Sequence, residues 1–211
     1  MHEARLRDQI CELGRSIFDR GLTHGSTGNI SARCEEGWLL TPTGSNLGGL
    51  DPARLSKLDW DGKHLSGDPP SKENFLHLAM YQEGARNQAV IHLHSTHSVA
   101  ISVLEGLDPH NLLPPLTAYY VMRIGTLPLV PYYAPGDLKL AEAVRGYAGR
   151  HHAMLLANHG PVVAGTSLSA AADAIEELEA TARLYLLVRG QDVRALTPAQ
   201  VAEVKRRYPP G

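Results

Sequence analysis

The sequence predicts one α/β domain. Short apolar, strand-like runs alternate with segments of helical periodicity, and no internal repeat or low-complexity linker divides them. At 211 residues with 43% hydrophobic content the chain is long enough for one sizeable core, so residues 1–211 read as a single unit.

The elements follow in order. From about Ala4 to Arg20, Leu6, Ile10, Leu13, Ile17 and Phe18 recur at helical spacing, and Gly21 is a natural stop. Asn29–Arg33 and Trp38–Thr41 read as strands joined through Glu35, Glu36 and Gly37. A Gly/Ser/Thr loop covers 42–49, and Asp59–His64 reads as a hairpin with an Asp-Gly turn. An extended loop at 67–71 leads into a helix from about Lys72 to Gln82, with Phe75, Leu76, Leu78 and Ala79 inward. Ala89–Ile91 is a short apolar strand, and Ser95 is placed to N-cap a helix from Ser95 to Leu104. Residues 109–115 are irregular, and Gly136–Gly149 is helical with Ala141, Val144 and Tyr147 inward. Ala153 opens another apolar strand. Leu168–Val188 is a long helix ended by Gly190, and Thr197 caps a last helix that begins near Pro198.

Composition excludes some functions. The formal net charge is −2 without a Lys/Arg run, so a nucleic-acid partner has no electrostatic support. The start, Met1 to Asp8, is charged and unlike a signal peptide, and no apolar stretch reaches membrane-span length. Cys11 and Cys34 have no metal or redox spacing. A soluble cytoplasmic protein is the expectation.

The chemistry concentrates where two strands end. On a strand, alternate side chains share a face, so His92 and His94 project together, about 7 Å apart along the backbone, while Leu93 turns into the core. Two such imidazoles can bind one divalent cation at roughly 2.0–2.1 Å each. A third ligand belongs on a separate element, and the strand leading to Asn158-His159-Gly160 offers His159. The bland alternative is a set of surface or core histidines with no shared ligand. His97 reads as structural, and His24, His151 and His152 as solvated or capping.

Three small-residue segments stand apart: Thr23–Asn29, Thr41–Ser45 and Pro70–Glu73. Such loops suit a phosphate, the third at a helix N-terminus, although ordinary turn chemistry and capping by Ser71 explain any one of them. Glu73 fits either a helix-dipole role or an acid/base carboxylate beside a metal.

In this order the motifs resemble the class II aldolase/adducin family. They are Ser26–Ser31, Thr41–Gly44, Pro70–Glu73, His92–Ser95 and Asn158–Gly160, and the match runs from about residue 5 to 190. Longer stretches, Thr41–Gly48, His92–Ser98, Leu113–Tyr120 and the helix carrying Glu176, Glu177, Glu179 and Tyr185, resemble one branch, the 3-oxo-tetronate 4-phosphate decarboxylases. The resemblance implies a three-layer α/β/α sandwich around a mostly antiparallel sheet, assembled as a homotetramer with sites at subunit interfaces. It implies one zinc ion per subunit on His92, His94 and His159, with Glu73 as acid/base and as a further contact to the metal before substrate arrives. The same imidazoles accept manganese, cobalt or nickel. Asn29, Thr43, Gly44 and Ser71 would cradle the phosphate of a small sugar-acid substrate. Tyr119, with Tyr120 beside it, falls where the aldolases place a tyrosine that reaches a neighbouring subunit's site. One departure is Lys72, where the sugar aldolases usually carry a second serine. A cation there suits the phosphate or the substrate carboxylate. The implied reaction is loss of carbon dioxide to give dihydroxyacetone phosphate. The rivals are a sugar-phosphate aldolase or epimerase of the fuculose- or ribulose-phosphate type, and a non-catalytic adducin-like interaction module.

Overall fold

The fold is built on strands whose side chains alternate between two apolar cores. In a computed structural model, residues 3–134 and 136–208 are described; of the charged start, Met1 and His2 lie outside them. The strands are β1 (Asn29–Cys34), β2 (Gly37–Leu40), β3 (Ser56–Leu58), β4 (His64–Ser66), β5 (Ala89–His92), β6 (Leu129–Val130), β7 (Ala153–Leu156) and β8 (Gly160–Gly165). They form one sheet in the order β4-β3-β2-β1-β5-β8-β7-β6. Every pairing is antiparallel except β6 with β7.

The helices are α1 (Glu3–Asp19), α2 (Asn74–Glu83), α3 (Thr96–Ser102), α4 (Ala118–Arg123), α5 (Lys139–Ala148), α6 (Leu168–Val188) and α7 (Pro198–Arg207). On one face of the sheet, Ile30, Ala32, Leu39, Ile91, Leu155 and Val163 pack with apolar residues of α1, α3, α4 and α6. On the other, Trp38, Leu40, Val90, Met154, Leu156 and Val162 pack with α2 and α5. The period-two alternation of these sets along each strand makes the three-layer α/β/α sandwich. Among the described residues no helix is long and apolar enough to cross a membrane. Cys11 and Cys34 are free thiols.

Several expectations needed correction. The helix expected from Lys72 starts at Asn74, because the Ser71 carbonyl accepts both the backbone and side-chain N–H groups of Asn74 and closes a turn first. Phe75 and Leu78 are half-buried, while His77, Met80 and Tyr81 are buried. The helix expected to reach Leu104 ends at Ser102, whose carbonyl accepts the Asn158 N–H from the β7–β8 turn. Ser95 occupies its N-cap position, but the hydroxyl makes no capping bond. Glu179 from α6 performs that task, accepting the backbone N–H groups of His97 and Ser98. The helix expected from Gly136 begins at Lys139. Strand β8, helix α4 and strand β6 had no sequence reading.

Candidate metal centre

His92 closes β5, and His94 lies just beyond it, with Leu93 between them in the core. Two glycines clamp this strand end. A Cβ on Gly160 would come 2.3 Å from the Leu93 carbonyl oxygen, and one on Gly28, at φ 81°, would meet the His92 carbonyl oxygen at 3.0 Å. The β7–β8 turn supplies His159 and needs Asn158 at φ 56°, a conformation that asparagine tolerates better than most residues.

The three imidazoles converge. Their centroids are 4.7–5.0 Å apart and the rings stand edge-on to one another at 66–86°. Glu73 joins them from the start of α2, its carboxylate 3.1 Å from His159 Nε2 and 3.5 Å from His92 Nε2. One ligand atom from each of the four residues falls within 4.8 Å of the others, and no second such group of His, Cys, Asp or Glu occurs among the described residues.

The donor set fits a divalent cation. His92 Nδ1–H donates to the Pro161 carbonyl at 2.8 Å, which leaves the lone pair on Nε2. That nitrogen sits 3.1 Å from His94 Nε2. Tetrahedral ligands at zinc–nitrogen distances lie about 3.3 Å apart, so these separations are close to the edges of a coordination tetrahedron. Burial lowers the proton affinity of His92, and burial and the neighbouring imidazoles lower that of His94 to about 3, so both are neutral donors. Burial would raise the Glu73 carboxyl, but the facing His92 and His159 rings and the Asn29 amide outweigh it and hold the group well below the usual carboxylate range.

The three small-residue loops meet beside this cluster. Asn29 Nδ2–H donates to Glu73 Oε2 at 2.8 Å and to Ser71 Oγ at 3.2 Å. The second loop is tethered to the third by a bridge between Pro42 and Pro70 and by the Thr43 N–H on the Pro69 carbonyl. Thr43, Gly44 and Lys72 are exposed there. Gly44 has φ 67° and open space where a Cβ would stand. The hollow over the histidines is lined by His24, Glu73, His94, Tyr132, Tyr133 and His159, among others. Sequence reasoning had placed neither tyrosine.

Tyr119 is not in that lining. It is 64% exposed and borders a different hollow with Arg123, Glu176 and Glu177. Tyr120 is buried, and its hydroxyl has no partner among the described residues. His97 bonds Glu179 through Nδ1 at 2.7 Å, and His152 donates to the last carbonyl of α4, that of Arg123, so both are structural.

The larger omission was His77 and Tyr81. Asn29, Ser31 and Arg33 alternate along one face of β1, and Glu73, His77 and Tyr81 recur every fourth residue along the start and body of α2. The two rows interlock through hydrogen bonds. The matched periods, two on the strand and four on the helix, were the available signal.

Comparison with known proteins places the sequence and the fold. Residues 8–186 match the family described as Class II Aldolase and Adducin N-terminal domain. A 3-oxo-tetronate 4-phosphate decarboxylase from Escherichia coli is 52% identical over 204 residues, 96% of each chain. An L-fuculose phosphate aldolase from Haemophilus influenzae is 33% identical, over 99% of this chain and 95% of its own. The crystal structure of YgbL from Escherichia coli superposes with a TM-score of 0.95 at 49% identity, covering 97% of this chain and all of that one.

Proposed function

The chain belongs to the Class II Aldolase and Adducin N-terminal domain family, and from that premise we propose that it is a carboxy-lyase that converts 3-oxo-tetronate 4-phosphate to dihydroxyacetone phosphate and carbon dioxide. The observation that carries this reading is the 52% identity to a named decarboxylase across nearly the full length, against 33% to a fuculose phosphate aldolase.

His92, His94 and His159 would hold one cation, zinc in the first instance, with Glu73 as a fourth contact. A bound divalent cation supplies Lewis-acid stabilisation of the negative charge that develops on a ketone oxygen. The chain's own residues do the rest. Asn29, Thr43, Gly44 and Ser71 hold the terminal phosphate, and the exposed Lys72 ammonium adds a positive charge at the same rim. Fixing the phosphate orients the carboxylate end of the substrate for scission. The bond between the carboxylate carbon and its neighbour breaks, and its electron pair passes to the ene-diolate of the remaining three-carbon unit. Glu73, a carboxylate at rest, takes the proton of the hydroxyl beside the ketone as the ene-diolate forms. A proton then returns to carbon, from Glu73 so protonated or from the phenol of Tyr119. One proton from water restores the hydroxyl or the phenol and balances the reaction. The exposure of Tyr119 and its absence from the lining of this chain's histidine hollow support delivery to a neighbouring subunit's site in a cytoplasmic homotetramer.

The test is carbon dioxide release from both stereoisomers of 3-oxo-tetronate 4-phosphate, with metal-stripped and zinc-restored protein. Metal-dependent release from one stereoisomer is the expected result. Aldehyde release from L-fuculose 1-phosphate with no carbon dioxide from either keto acid would replace this reading with that of an aldolase.

A further inference from the structure

We propose that His77 is a positioning residue. Fixed as the tautomer with hydrogen on Nε2, it locks the Asn29 amide so that its NH2 group faces Glu73 and the phosphate loop. The inference rests on the reading of Asn29 as a phosphate-binding residue beside the metal cluster.

The hydrogen-bond geometry allows one direction of donation. Asn29 Nδ2 faces two acceptors, Ser71 Oγ and Glu73 Oε2, whereas Asn29 Oδ1 faces only His77 Nε2. Rotating the amide by half a turn would set its carbonyl oxygen against a carboxylate oxygen. Asn29 Oδ1 is therefore the acceptor, and His77 Nε2 must carry the hydrogen. His77 Nδ1 is then an acceptor, satisfied by the Ser31 hydroxyl at 2.7 Å. Ser31 Oγ in turn accepts from the Tyr81 hydroxyl at 2.7 Å. Every donation runs from Tyr81 through Ser31, His77 and Asn29 toward Glu73.

The surroundings keep this chain of bonds in place. Asn29, Ser31, His77 and Tyr81 are all buried. Trp38 stacks on the His77 ring with the planes 11° apart. Burial holds the proton affinity of His77 down to about 3, so the ring is neutral with one hydrogen to place. Burial pushes the Tyr81 phenol up, which keeps its O–H as the donor that starts the series. A buried network with every member satisfied selects one arrangement, because each flipped amide or shifted tautomer leaves an unpaired polar atom.

The experiment has two readouts. In full-length, zinc-loaded protein, nitrogen NMR of labelled imidazoles should show His77 Nε2 as a pyrrole-type nitrogen and Nδ1 as a pyridine-type one; the reverse assignment overturns the proposal. Binding of inorganic phosphate, measured by calorimetry, should weaken at least about tenfold in His77→Leu at unchanged zinc content, with a raised KM for the keto acid. His77→Gln, which can return an amide N–H to the Nε2 position, should restore binding to within about threefold. Equal impairment in both variants, or wild-type phosphate binding in His77→Leu, would reduce His77 to packing. If His77→Leu does not fold, the wild-type tautomer and phosphate binding by His77→Gln carry the test: binding within about threefold of wild type is expected, and a loss of about tenfold in His77→Gln counts against the proposal. The tautomer does not depend on the reaction catalysed, so its failure is distinct from failure of the carbon dioxide assay.

Discussion

Two withdrawn carboxylates sit at helix N-termini in this molecule, and they are held in opposite ways. Glu179, on α6, reaches the start of α3 and accepts four donors: the backbone N–H groups of His97 and Ser98, the Ser98 hydroxyl and His97 Nδ1. Glu73 is the N-cap residue of its own helix α2 and makes no side-chain capping bond. Its oxygens instead face His92, His159 and the Asn29 amide. A carboxylate saturated by the backbone and side-chain donors of a helix terminus is fixed and chemically inert. One withheld from the backbone and set among imidazoles stays available to a cation or a proton. Position at a helix terminus alone does not separate these roles; the partners do.

The largest effect expected is at the imidazoles themselves. His94→Ala should abolish both bound metal and turnover, checked by metal analysis of the purified protein beside the carbon dioxide assay. One retained zinc with normal turnover would remove His94 from the ligand set. Glu73→Gln should keep the metal on the three histidines and lower kcat by about 10²–10⁴-fold, the range of a lost acid/base group, with little change in melting temperature. Glu179→Gln should do the reverse. The isosteric amide loses charge-assisted bonds to buried donors, at a cost of about 2–4 kcal/mol in urea unfolding, with zinc content retained. If Glu73→Gln destabilised the fold while Glu179→Gln removed only activity, the contrast between the two carboxylates would be inverted.

Acid should expose the same contrast. Burial raises the Glu179 carboxyl, but the Ser98 hydroxyl and the backbone N–H groups outweigh it, so its folded-state proton affinity lies below the ordinary value. A group lowered in this way stabilises the fold fully above its unfolded pKa, about 4.3, and that contribution is lost as pH falls through the lower folded value. The stability gap between wild type and Glu179→Gln should therefore be constant from pH 7 to about 5 and narrow below about 4. A gap that widened in acid would mean the carboxylate is not the species that caps α3.

What the sequence disclosed follows from how local each signal is. α1 and α6 carry long apolar periods, each followed by a glycine stop at Gly21 and Gly190, and α7 is announced by Thr197, which makes the capping box with Gln200. The pair His92 and His94 was legible because strand alternation needs no tertiary information. Helix α4 has six residues and strand β6 two, too few for any period to register. Strand β8 opens on Gly160-Pro161 and ends at Gly165, and those residues read as turns until β5 and β7 flank the strand on either side. His77 fell within a helix whose apolar residues suggested only a core face, and its partners Asn29 and Ser31 lie on a strand far back in the chain.

Ser95 is where a sound local rule met a stronger distant partner, and it gives the smallest and sharpest prediction. Replacing an N-cap serine by alanine ordinarily costs about 1 kcal/mol, because one helix N–H loses its acceptor. Here the N–H groups of His97 and Ser98 already bond Glu179, while the buried Ser95 hydroxyl has no partner among the described residues. Ser95→Ala removes an unsatisfied polar group and no cap, so unfolding should show no loss and a gain of up to about 1 kcal/mol. The same substitution made in a Glu179→Gln background should cost more, because the serine is then the nearest oxygen left to accept from α3. Full additivity of the two changes would mean that serine and glutamate do not compete for one helix terminus.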